Sequence, residues 1–576
     1  MDIKLVQEKK KYLEDYYGKL FATYDSLSSY YNLNFSVGKM PPDISIYVPP
    51  TARRHIDMAT DHVLGLGINA KISLWSEAQK AKQLAGDLEI FGNAFIEWLK
   101  RNSKFNIIRS LVKHGFLYGM FCLRGPVYVP RLRPKKVSDM LPEDERKFND
   151  MLSQTFPFHF RPVHPRNILI DPSEKPLYTI ETIARTALSV KYSWPEWNPG
   201  SYKDTDLVNY WEYWDNNERQ SFVDDKPILG DTENEYGFIP YEIGYAGFGI
   251  ESDTASPEDL IVSMISPCLN SYTAEARMKT AAQAHLEYNA FGRPTIEMEP
   301  GQDFEISSVP GDISVVPKGY NLRNEAPAQI NPDFYRWMQL VQQDQQKILP
   351  DSMGGNAPKG IESGYGMGIS VGQARIMLDG VKTDIEKVLS NILAKTLILV
   401  KNVVQEPVGI TGSFVKGGAV TIKPNQIDPD VQHYEVTMEA ELPEERDRRI
   451  MLGESLLRTG ALSWETICRE YFGKDPEEER ERMLVQAALD NPMVKEALAI
   501  AAVQNAGMTE VLSLIQQGKL PSQQVAQQGG SIQQGQGSNN TQQQTPPRAS
   551  DYSRNLERLN PGTGEQMSQP EMQGAQ

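Results

Sequence analysis

Two long helical patterns between Ser256 and Val404 constrain the fold of this chain more than any other feature. The first opens at Ser256, where a hydroxyl precedes a proline and two acids, an arrangement typical of a helix N-terminus. The pattern continues to about Tyr288, and Pro267 predicts a kink inside it because proline removes one backbone hydrogen bond. Helices of this length favour an elongated chain of several parts over a set of small independent globules.

A short insert and a second helix follow the first pattern. Between residues 291 and 330 the period changes, and β-branched residues alternate with Pro-Gly turns, which predicts a small β insert. Asn331 and Pro332 then start a helix that Pro350 ends. Its two faces differ in character. The apolar stripe holds Phe334, Trp337, Met338, Val341 and Ile348, whereas the opposite face carries the uncharged polar residues Gln339, Gln342, Gln343 and Gln346.

A glycine-rich loop separates this helix from the next one. Residues 351–368 contain six glycines and a single cation, Lys359, so we expect a mobile loop. The following helix is predicted from Ile369 to about Val404 because its apolar residues recur at three- and four-residue steps. These are Leu378, Val381, Ile385, Val388, Leu389, Ile392, Thr396, Leu399 and Val403. The pattern indicates a long packing helix that holds one end of the loop.

The rest of the chain is predicted to contain both helices and strands. Residues 1–40 are polar and only modestly helical, so we interpret them as an arm. A strand is expected at 44–48, followed by helices that alternate with short loops from 51 to about 119. Antiparallel strands are expected from 121 to 250, with one helix at 141–152. Two more strands are expected near 419–423 and 434–438, and they could pair with the earlier sheet. Residues 443–521 read as charged helices, and the Gln-rich segment 522–576 is predicted to be disordered.

Composition limits the possible functions. The formal net charge of −16 argues against a tight, general nucleic-acid binder, which would carry a basic domain. The three cysteines lack metal-site spacing and suggest reduced thiols in a cytosolic compartment. Residues 1–30 contain no apolar signal-peptide core, and the longest apolar run falls far short of the roughly 20 residues of a membrane span. We therefore expect no signal peptide and no membrane span.

Motifs for catalysis, cofactors or metals do not stand out. Lys359-Gly360-Ile361 has neither the order nor the preceding strand of a phosphate-binding loop, and the glycines from Gly364 to Gly372 miss dinucleotide-binding spacing. His164 and Asp171 favour a turn at a strand edge over a metal site. The glutamine face of the second helix also has an ordinary interpretation, that of a solvated helix surface. We expect no cofactor, no metal and no enzymatic activity.

The order of these elements resembles the portal proteins of tailed, double-stranded DNA bacteriophages. Four local patterns support the resemblance, and it covers roughly residues 41–520. They are Leu111-Val-Lys-His-Gly-Phe-Leu-Tyr-Gly, Pro165-Arg-Asn-Ile-Leu-Ile-Asp-Pro, Gly237-Phe-Ile-Pro-Tyr, and the run from Glu444-Glu-Arg-Asp-Arg through Gly460-Ala-Leu-Ser-Trp-Glu-Thr to Asp475-Pro-Glu-Glu-Glu-Arg. The resemblance implies an α+β fold with the portal architecture of wing, stem, clip and crown.

Mapped by position, the resemblance divides the chain into named parts. They are an N-terminal arm (1–40), an α+β wing (41–255), a first stem helix (256–290), a clip (291–330), a second stem helix (331–350), a tunnel loop (351–368), a long helix that returns to the wing (369–442), a helical crown (443–521) and a disordered tail (522–576).

The resemblance also implies a function and a set of partners. It implies a ring, twelve-fold in mature particles, at one capsid vertex, where it forms the channel for DNA packaging and ejection without sequence specificity. The expected partners are the terminase large subunit, head-completion or tail adaptor proteins, and the major capsid and scaffolding proteins. The implied location is the virion, after assembly in the host cytoplasm.

Two groups of residues are the implied sites. The DNA-channel candidates are Gln339, Gln342, Gln343, Gln346, Lys347, Lys359, Tyr365 and Met367, and the docking candidates on the clip are Glu297, Glu299, Asp303, Glu305, Asp312 and Lys318. Two alternatives remain open at this point, another virion assembly or scaffold protein, and a multidomain enzyme whose active site the sequence does not reveal.

Overall fold

The computed structural model describes most of the chain up to residue 491. The described residues are 3–39, 44–74, 79–101, 104–134, 142–250, 252, 254–289, 293–296, 322–325, 331–349, 376–412, 419–429, 432–439, 443–460, 462–472 and 476–491. The chain forms two compact units, Met1–Asp447 and Arg448–Gln576.

Helices make up about half of the described residues, of which 53% are helical and 21% lie in strands. In chain order the helices are α1 (Ile3–Tyr31), α2 (Thr51–Leu64), α3 (Gln79–Arg101), α4 (Ile107–Tyr118), α5 (Pro142–Ser153), α6 (Ala187–Ser193), α7 (Pro257–Leu260), α8 (Leu269–Asn289), α9 (Pro332–Gln346), α10 (Asp379–Leu399), α11 (Pro443–Thr459), α12 (Trp464–Glu470) and α13 (Pro476–Asp490).

The strands form small antiparallel sheets. They are β1 (Gly67–Leu74), β2 (Met120–Tyr128), β3 (Phe158–Val163), β4 (Ile168–Ile170), β5 (Tyr178–Thr186), β6 (Leu207–Asp215), β7 (Glu218–Val223), β8 (Lys226–Glu233), β9 (Tyr241–Tyr245), β10 (Arg293–Ile296), β11 (Leu322–Glu325), β12 (Val408–Thr411), β13 (Ala419–Ile422) and β14 (Gln432–Glu439). The two larger sheets have the orders β3-β2-β9 and β4-β5-β6-β7-β8, and three two-stranded sheets pair β1 with β14, β10 with β11, and β12 with β13. The predicted α+β class is confirmed at this level.

Helix α1 is part of the core. Over its 29 residues, one side is buried, including Val6, Leu13, Leu20 and Leu27. Tyr17 and Tyr24 contribute to the same face, and the Tyr17 hydroxyl donates a hydrogen bond of 3.1 Å to the Ile170 carbonyl oxygen in β4. The prediction of a polar N-terminal arm over residues 1–40 is therefore wrong for this stretch, because aromatic and aliphatic residues on one face outweigh its polar composition.

Helix α10 confirms the predicted packing helix. From Leu378 onward, every position of the predicted apolar stripe is buried except Val403, which is half-buried against the same core. The last turn widens into a π-helical turn, Val400–Val404. Residues 369–375, where the helix was predicted to begin, lie outside the described residues. Helix α10 packs on β9 and β14, where the Ser390 hydroxyl accepts a hydrogen bond of 2.8 Å from the Val436 backbone N–H.

The predicted continuous helix from Ser256 to about Tyr288 is interrupted. The start signal yields only the single turn α7, and a 3-10 turn at Ser266–Cys268 precedes α8. Between them, the Met264 backbone N–H donates a hydrogen bond of 3.1 Å to the Phe116 carbonyl oxygen at the end of α4. Bonds to α4 thus replace the helical bonds. The assignment of one stem helix over 256–290 is corrected to α8, and the predicted kink at Pro267 is a full break.

Strand β1 closes the first unit through a partner far along the chain. Sequence analysis placed only helices and loops at residues 67–74, yet β1 pairs with β14 along its whole length, from Gly67 with Glu439 to Leu74 with Gln432. The strand predicted at 434–438 is confirmed and returns to the first unit, but it pairs with β1 and not with the earlier sheet. The strand predicted at 419–423 pairs with β12, so the predicted return of both strands to the earlier sheet is wrong. The predicted strand at 44–48 is wrong, since these residues are irregular.

The second unit is helical in its described part. Gly460 ends α11 with a positive φ of +68°, and the Ser463 hydroxyl accepts a hydrogen bond of 3.2 Å from the Thr466 backbone N–H at the start of α12. A glycine at positive φ and a serine cap are signals that typically end and start helices, and the helices predicted for 443–521 are confirmed as far as residue 491. Residues 492–521 and the Gln-rich segment 522–576 lie outside the described residues, so the predicted disorder of the tail stays a prediction.

Candidate functional site

Helices α8 and α9 contact each other and form the candidate site, which we call the helix pair. Asn331 caps α9 as predicted, since its side-chain oxygen accepts a hydrogen bond of 3.0 Å from the Asp333 backbone N–H. The Ser271 hydroxyl donates 3.3 Å to the Val341 carbonyl oxygen, one of several side-chain links between the helices. The antiparallel strands β10 and β11 lie between the two helices in the chain, as the predicted β insert requires.

A buried polar link fixes the two helices to each other. Glu275 is 2% exposed and Gln345 is 3% exposed. The Gln345 side-chain amide donates a hydrogen bond of 3.0 Å to one Glu275 oxygen, and the Lys279 ammonium lies 2.6 Å from the other. Because a buried carboxylate is costly without such partners, Gln345 sets how α9 meets α8. Sequence analysis missed this role, although Gln345 lies four residues after Val341 on the apolar stripe.

The outward face of α9 carries the predicted glutamines. Gln339, Gln343 and Gln346 are exposed, whereas Gln342 is half-buried at the edge of the contact. The Lys347 ammonium lies 2.7 Å from the Asp344 carboxylate, and this hydrogen bond raises the pKa of Lys347. The positive charge of Lys347 is therefore offset locally. Arg336 is also exposed on this face and was not among the predicted residues.

Several apolar side chains of the helix pair remain uncovered. Val341 is buried, but Trp337, predicted to share its stripe, is 58% exposed. Tyr335 and Leu340 on α9 and Leu286 on α8 are also exposed, the last by 63%. One helix contact covers only part of this apolar surface, and exposed clusters of large apolar side chains are typical of interaction surfaces.

The first half of α8 is anchored to the body of the first unit. The His55 ring nitrogen Nδ1 lies 2.7 Å from the Tyr272 hydroxyl, and both groups are buried. About two helical turns further along α8, the Thr280 hydroxyl accepts a hydrogen bond of 3.0 Å from the Tyr47 backbone N–H. These contacts hold α8 against α2 and the irregular segment before it, so the helix pair has a rigid base.

The remaining predicted site residues lie outside the described residues. These are Lys359, Tyr365 and Met367 of the tunnel loop, and Glu297, Glu299, Asp303, Glu305, Asp312 and Lys318 of the clip. Of the predicted DNA-channel set, the structure therefore brings together only the residues of α9.

A second polar cluster, absent from the sequence predictions, joins the two larger sheets. The guanidinium of Arg124 in β2 lies 3.1 Å from Glu181 in β5 and 2.6 Å from Glu212 in β6. Glu181 also accepts hydrogen bonds from Arg161, at 2.6 Å, and from the Tyr241 hydroxyl, at 2.8 Å. The sequence offered one indication of this cluster, because each of these charged residues lies alone within a strand rich in aromatic residues.

The electrostatics of this cluster favour a structural role. Desolvation raises the pKa of Glu212, but Arg124 and the donors Tyr210 and Trp214 outweigh it and lower the pKa to about 2. Such a carboxyl group stays ionised at neutral pH and is not a general acid. The Tyr210 hydroxyl and the Trp214 indole donate to it at 2.5 and 3.0 Å, so its oxygens are occupied by protein donors.

Two histidines lie close together at the end of α4. Burial, with a further contribution from nearby His164, lowers the pKa of His114 to about 3. The His164 Nδ1 accepts a hydrogen bond of 3.2 Å from the Arg166 backbone N–H, so its Nε2 carries the proton and donates to the Tyr118 hydroxyl at 3.0 Å. The predicted turn after His164 is confirmed, because Pro165–Asn167 forms a 3-10 turn.

Neither a metal-binding cluster in the described residues nor a matching protein family points to a function. Within the described parts of the chain, no three His, Cys, Asp or Glu side chains are grouped so that they could hold a metal ion. None of the helices described there has the length and apolarity needed to cross a membrane. All three cysteines are buried free thiols. Comparisons with models of protein families and with curated proteins gave no match.

Proposed function

We propose that this chain is the portal subunit of a tailed, double-stranded DNA bacteriophage. It would form a ring at one capsid vertex and line the channel for DNA packaging and ejection. The observation that carries the proposal is the helix pair, which has an uncharged glutamine face on α9, exposed apolar side chains beside it, and a base anchored in the body.

The glutamine face suits a surface along which DNA moves. A channel rich in Lys and Arg would neutralise many phosphates, and each one would strengthen sequence-independent binding. Gln339, Gln343 and Gln346 offer hydrogen bonds without such charge. The cation Lys347 is paired with Asp344, which leaves Arg336 as the cation on this face without a carboxylate partner among the described residues. Contacts with DNA would be weak and spread around the ring.

The exposed apolar residues of the helix pair support self-association. Trp337, Tyr335, Leu340 and Leu286 would be covered by the neighbouring copies of a closed ring. Helix α10 does not contribute to this argument. Its apolar stripe is covered within the subunit. We propose a dodecamer on the basis of the family resemblance.

The proposed partners follow from the same assignment. The clip would face outward, toward the terminase large subunit during packaging and the head-completion or tail adaptor proteins afterwards. The body would meet the major capsid and scaffolding proteins, and the location would be the virion after assembly in the host cytoplasm. Force for packaging would come from the terminase, since the chain has no recognisable nucleotide-binding motif.

Native mass measurement and negative-stain electron microscopy of the purified chain test this proposal. We expect closed rings with an axial hole, and we expect the double substitution Trp337→Ser and Leu340→Ser to shift the population to monomers. The double substitution Gln339→Ser and Gln343→Ser on the same helix is the control and should leave the rings intact. A parent protein that stays monomeric at micromolar concentration would contradict the proposal, and solid assemblies without a hole would favour a scaffold protein. Hydrolytic turnover by the monomer would favour an enzyme.

A further inference from the structure

A group of arginines lies where the two larger sheets face each other. The register of the five-stranded sheet places Arg185 in β5, Tyr210 in β6 and Arg219 in β7 on the same face as Glu181 and Glu212. That face meets the three-stranded sheet, because Arg124 reaches both carboxylates from β2. This location is separate from the helix pair, and the proposed function makes no use of it.

Aromatic rings hold two of these arginines in place. The Arg185 guanidinium lies 4.5 Å from the centroid of the Tyr210 ring, and that of Arg219 lies 5.0 Å from the Trp214 ring. Arg219 is also 5.8 Å from the ring of Trp194, whose indole N–H donates 3.2 Å to the Tyr210 hydroxyl. Stacking on a ring leaves the planar N–H groups of a guanidinium directed away from it and ordered in advance.

Among the described residues these two guanidiniums form no ion pair, although Arg185 is close enough to Glu212 to help lower its pKa. The carboxylates that face them, Glu181 and Glu212, are already engaged by Arg124 and Arg161. Among the described residues, no carboxylate lies within ion-pair distance of Arg185 or Arg219, and both side chains are half-buried. An unpaired, partly desolvated guanidinium in a chain of net charge −16 requires an explanation.

The positive potential extends to β3. His159 lies on this strand, two residues before Arg161. Desolvation lowers the pKa of His159, and Arg124, Arg161, Arg131 and Arg185 lower it further. Arg131 is itself exposed and, within the described part of the chain, has no ion pair. A neutral histidine surrounded by arginines marks a local concentration of positive charge.

We propose that this arginine patch, defined as Arg131, His159, Arg161, Arg185 and Arg219, binds the carboxylate side chains of an acidic segment of a partner protein. Guanidinium groups match carboxylates in a planar, two-point geometry. Binding at this site requires neither ring formation nor DNA, so the proposal can be tested independently of the proposed function.

Two observations favour an acidic polypeptide over a nucleic acid. Single-stranded nucleic acids bind by stacking bases on open aromatic faces, and here arginines lie over the rings of Tyr210 and Trp214. An exposed acid, Glu235, also borders the patch, since it precedes Tyr236, whose ring stacks on Trp214 beside Arg219. A regular series of phosphates would meet this acid. A polypeptide can place its carboxylates where the arginines are and neutral residues elsewhere.

The test uses the full-length protein and a labelled twelve-residue peptide of alternating Glu and Ser, followed by fluorescence anisotropy. We expect saturable binding that weakens as salt rises, and no binding of the Gln-and-Ser counterpart. The double substitution Arg185→Gln and Arg219→Gln should weaken binding by about a hundredfold, since each charge-assisted hydrogen bond is worth about tenfold. The control, Arg54→Gln with Arg458→Gln, removes the same charge from two exposed sites and should change binding less than threefold.

Several outcomes would overturn the inference. They are no saturable binding of the Glu peptide at millimolar concentration, an equal loss in the control variant, or tighter binding of a single-stranded oligonucleotide of the same charge. If the Gln variant does not fold, Arg185→Lys with Arg219→Lys replaces it. Lysine keeps the charge but loses the planar geometry, so binding about tenfold weaker than that of the parent supports the site, and unchanged binding contradicts it.

Discussion

Replacement of Glu212 by glutamine tests how the two larger sheets are held together. The substitution keeps the shape of the side chain but removes the charge that faces Arg124 at 2.6 Å, and one of its atoms becomes a donor that faces other donors. Arg124 is 9% exposed, so its charge would be left buried with Glu181 as its remaining carboxylate partner among the described residues. Removal of one partner of a buried ion pair typically costs about 3–5 kcal/mol.

The pKa of Glu212 gives an independent magnitude. Its value of about 2, against 4.5 for the free side chain, corresponds to about 3 kcal/mol of folding free energy at about 1.4 kcal/mol per pKa unit. Because the folded pKa is lower than the unfolded one, this contribution is fully present above pH 4.5. It is lost as the pH falls from 4.5 to 2. The two magnitudes agree to within their precision.

Tryptophan fluorescence during urea unfolding is a suitable assay, since Trp211 and Trp214 flank Glu212 in the sheet. At pH 7 we expect the Glu212→Gln protein to lose about 3 kcal/mol of unfolding free energy. The difference between parent and variant should shrink as the pH approaches 3. Glu233→Gln, an exposed carboxylate in the same sheet, should change stability by less than about 0.5 kcal/mol. A Glu212→Gln effect no larger than this, or one independent of pH, would falsify the reasoning.

Two further predictions concern other parts of the core. The pKa of His114 is lowered to about 3, so the stability that depends on its neutral ring is present above pH 6.5 and is lost as the pH falls below that value. In urea unfolding, the parent should therefore lose about 1 kcal/mol more than a His114→Phe variant between pH 7 and pH 5.5. Equal losses in the two proteins would contradict this prediction. Leu13→Ala in α1 should destabilise the first unit by about 2–5 kcal/mol, because it removes a buried side chain. Lys11→Ala on the exposed side of the same helix should leave the stability unchanged. If the urea midpoint of the Leu13→Ala protein equals that of the parent, the interpretation of residues 1–40 as an arm is restored.

Long, strongly periodic segments were predictable from the sequence. The stripe of α10 repeats over several turns, and the cap of α9 is a local interaction between Asn331 and the next turn, so both were correctly predicted. The glutamine face of α9 was also predictable, because a helix separates its faces by period alone. The exposure of Trp337 was not, since what covers a residue depends on neighbours that a single sequence does not reveal.

Elements that depend on distant partners were missed for a common reason. The break before α8 exists because Met264 bonds to Phe116, and no local signal shows that bond. Lys10 is buried in α1, where its ammonium lies 3.1 Å from the Asp225 carboxylate and over the Trp211 ring. A charged residue therefore occupies a position that its residue type alone would place on the surface. The charge cluster around Arg124 likewise joins five strands, β2, β3, β5, β6 and β9.

The pairing of β1 with β14 has a consequence for how the protein is made. The partner of β1 leaves the ribosome about 360 residues later, which is roughly 20–70 s of synthesis at ordinary rates. During that time the apolar residues Ile68, Ala70 and Ile72 have no strand beside them and lack the cover that the finished core provides. The nascent chain therefore carries an open strand edge through most of its translation, and shielding of that edge by chaperones should decide how much of the product reaches the native state.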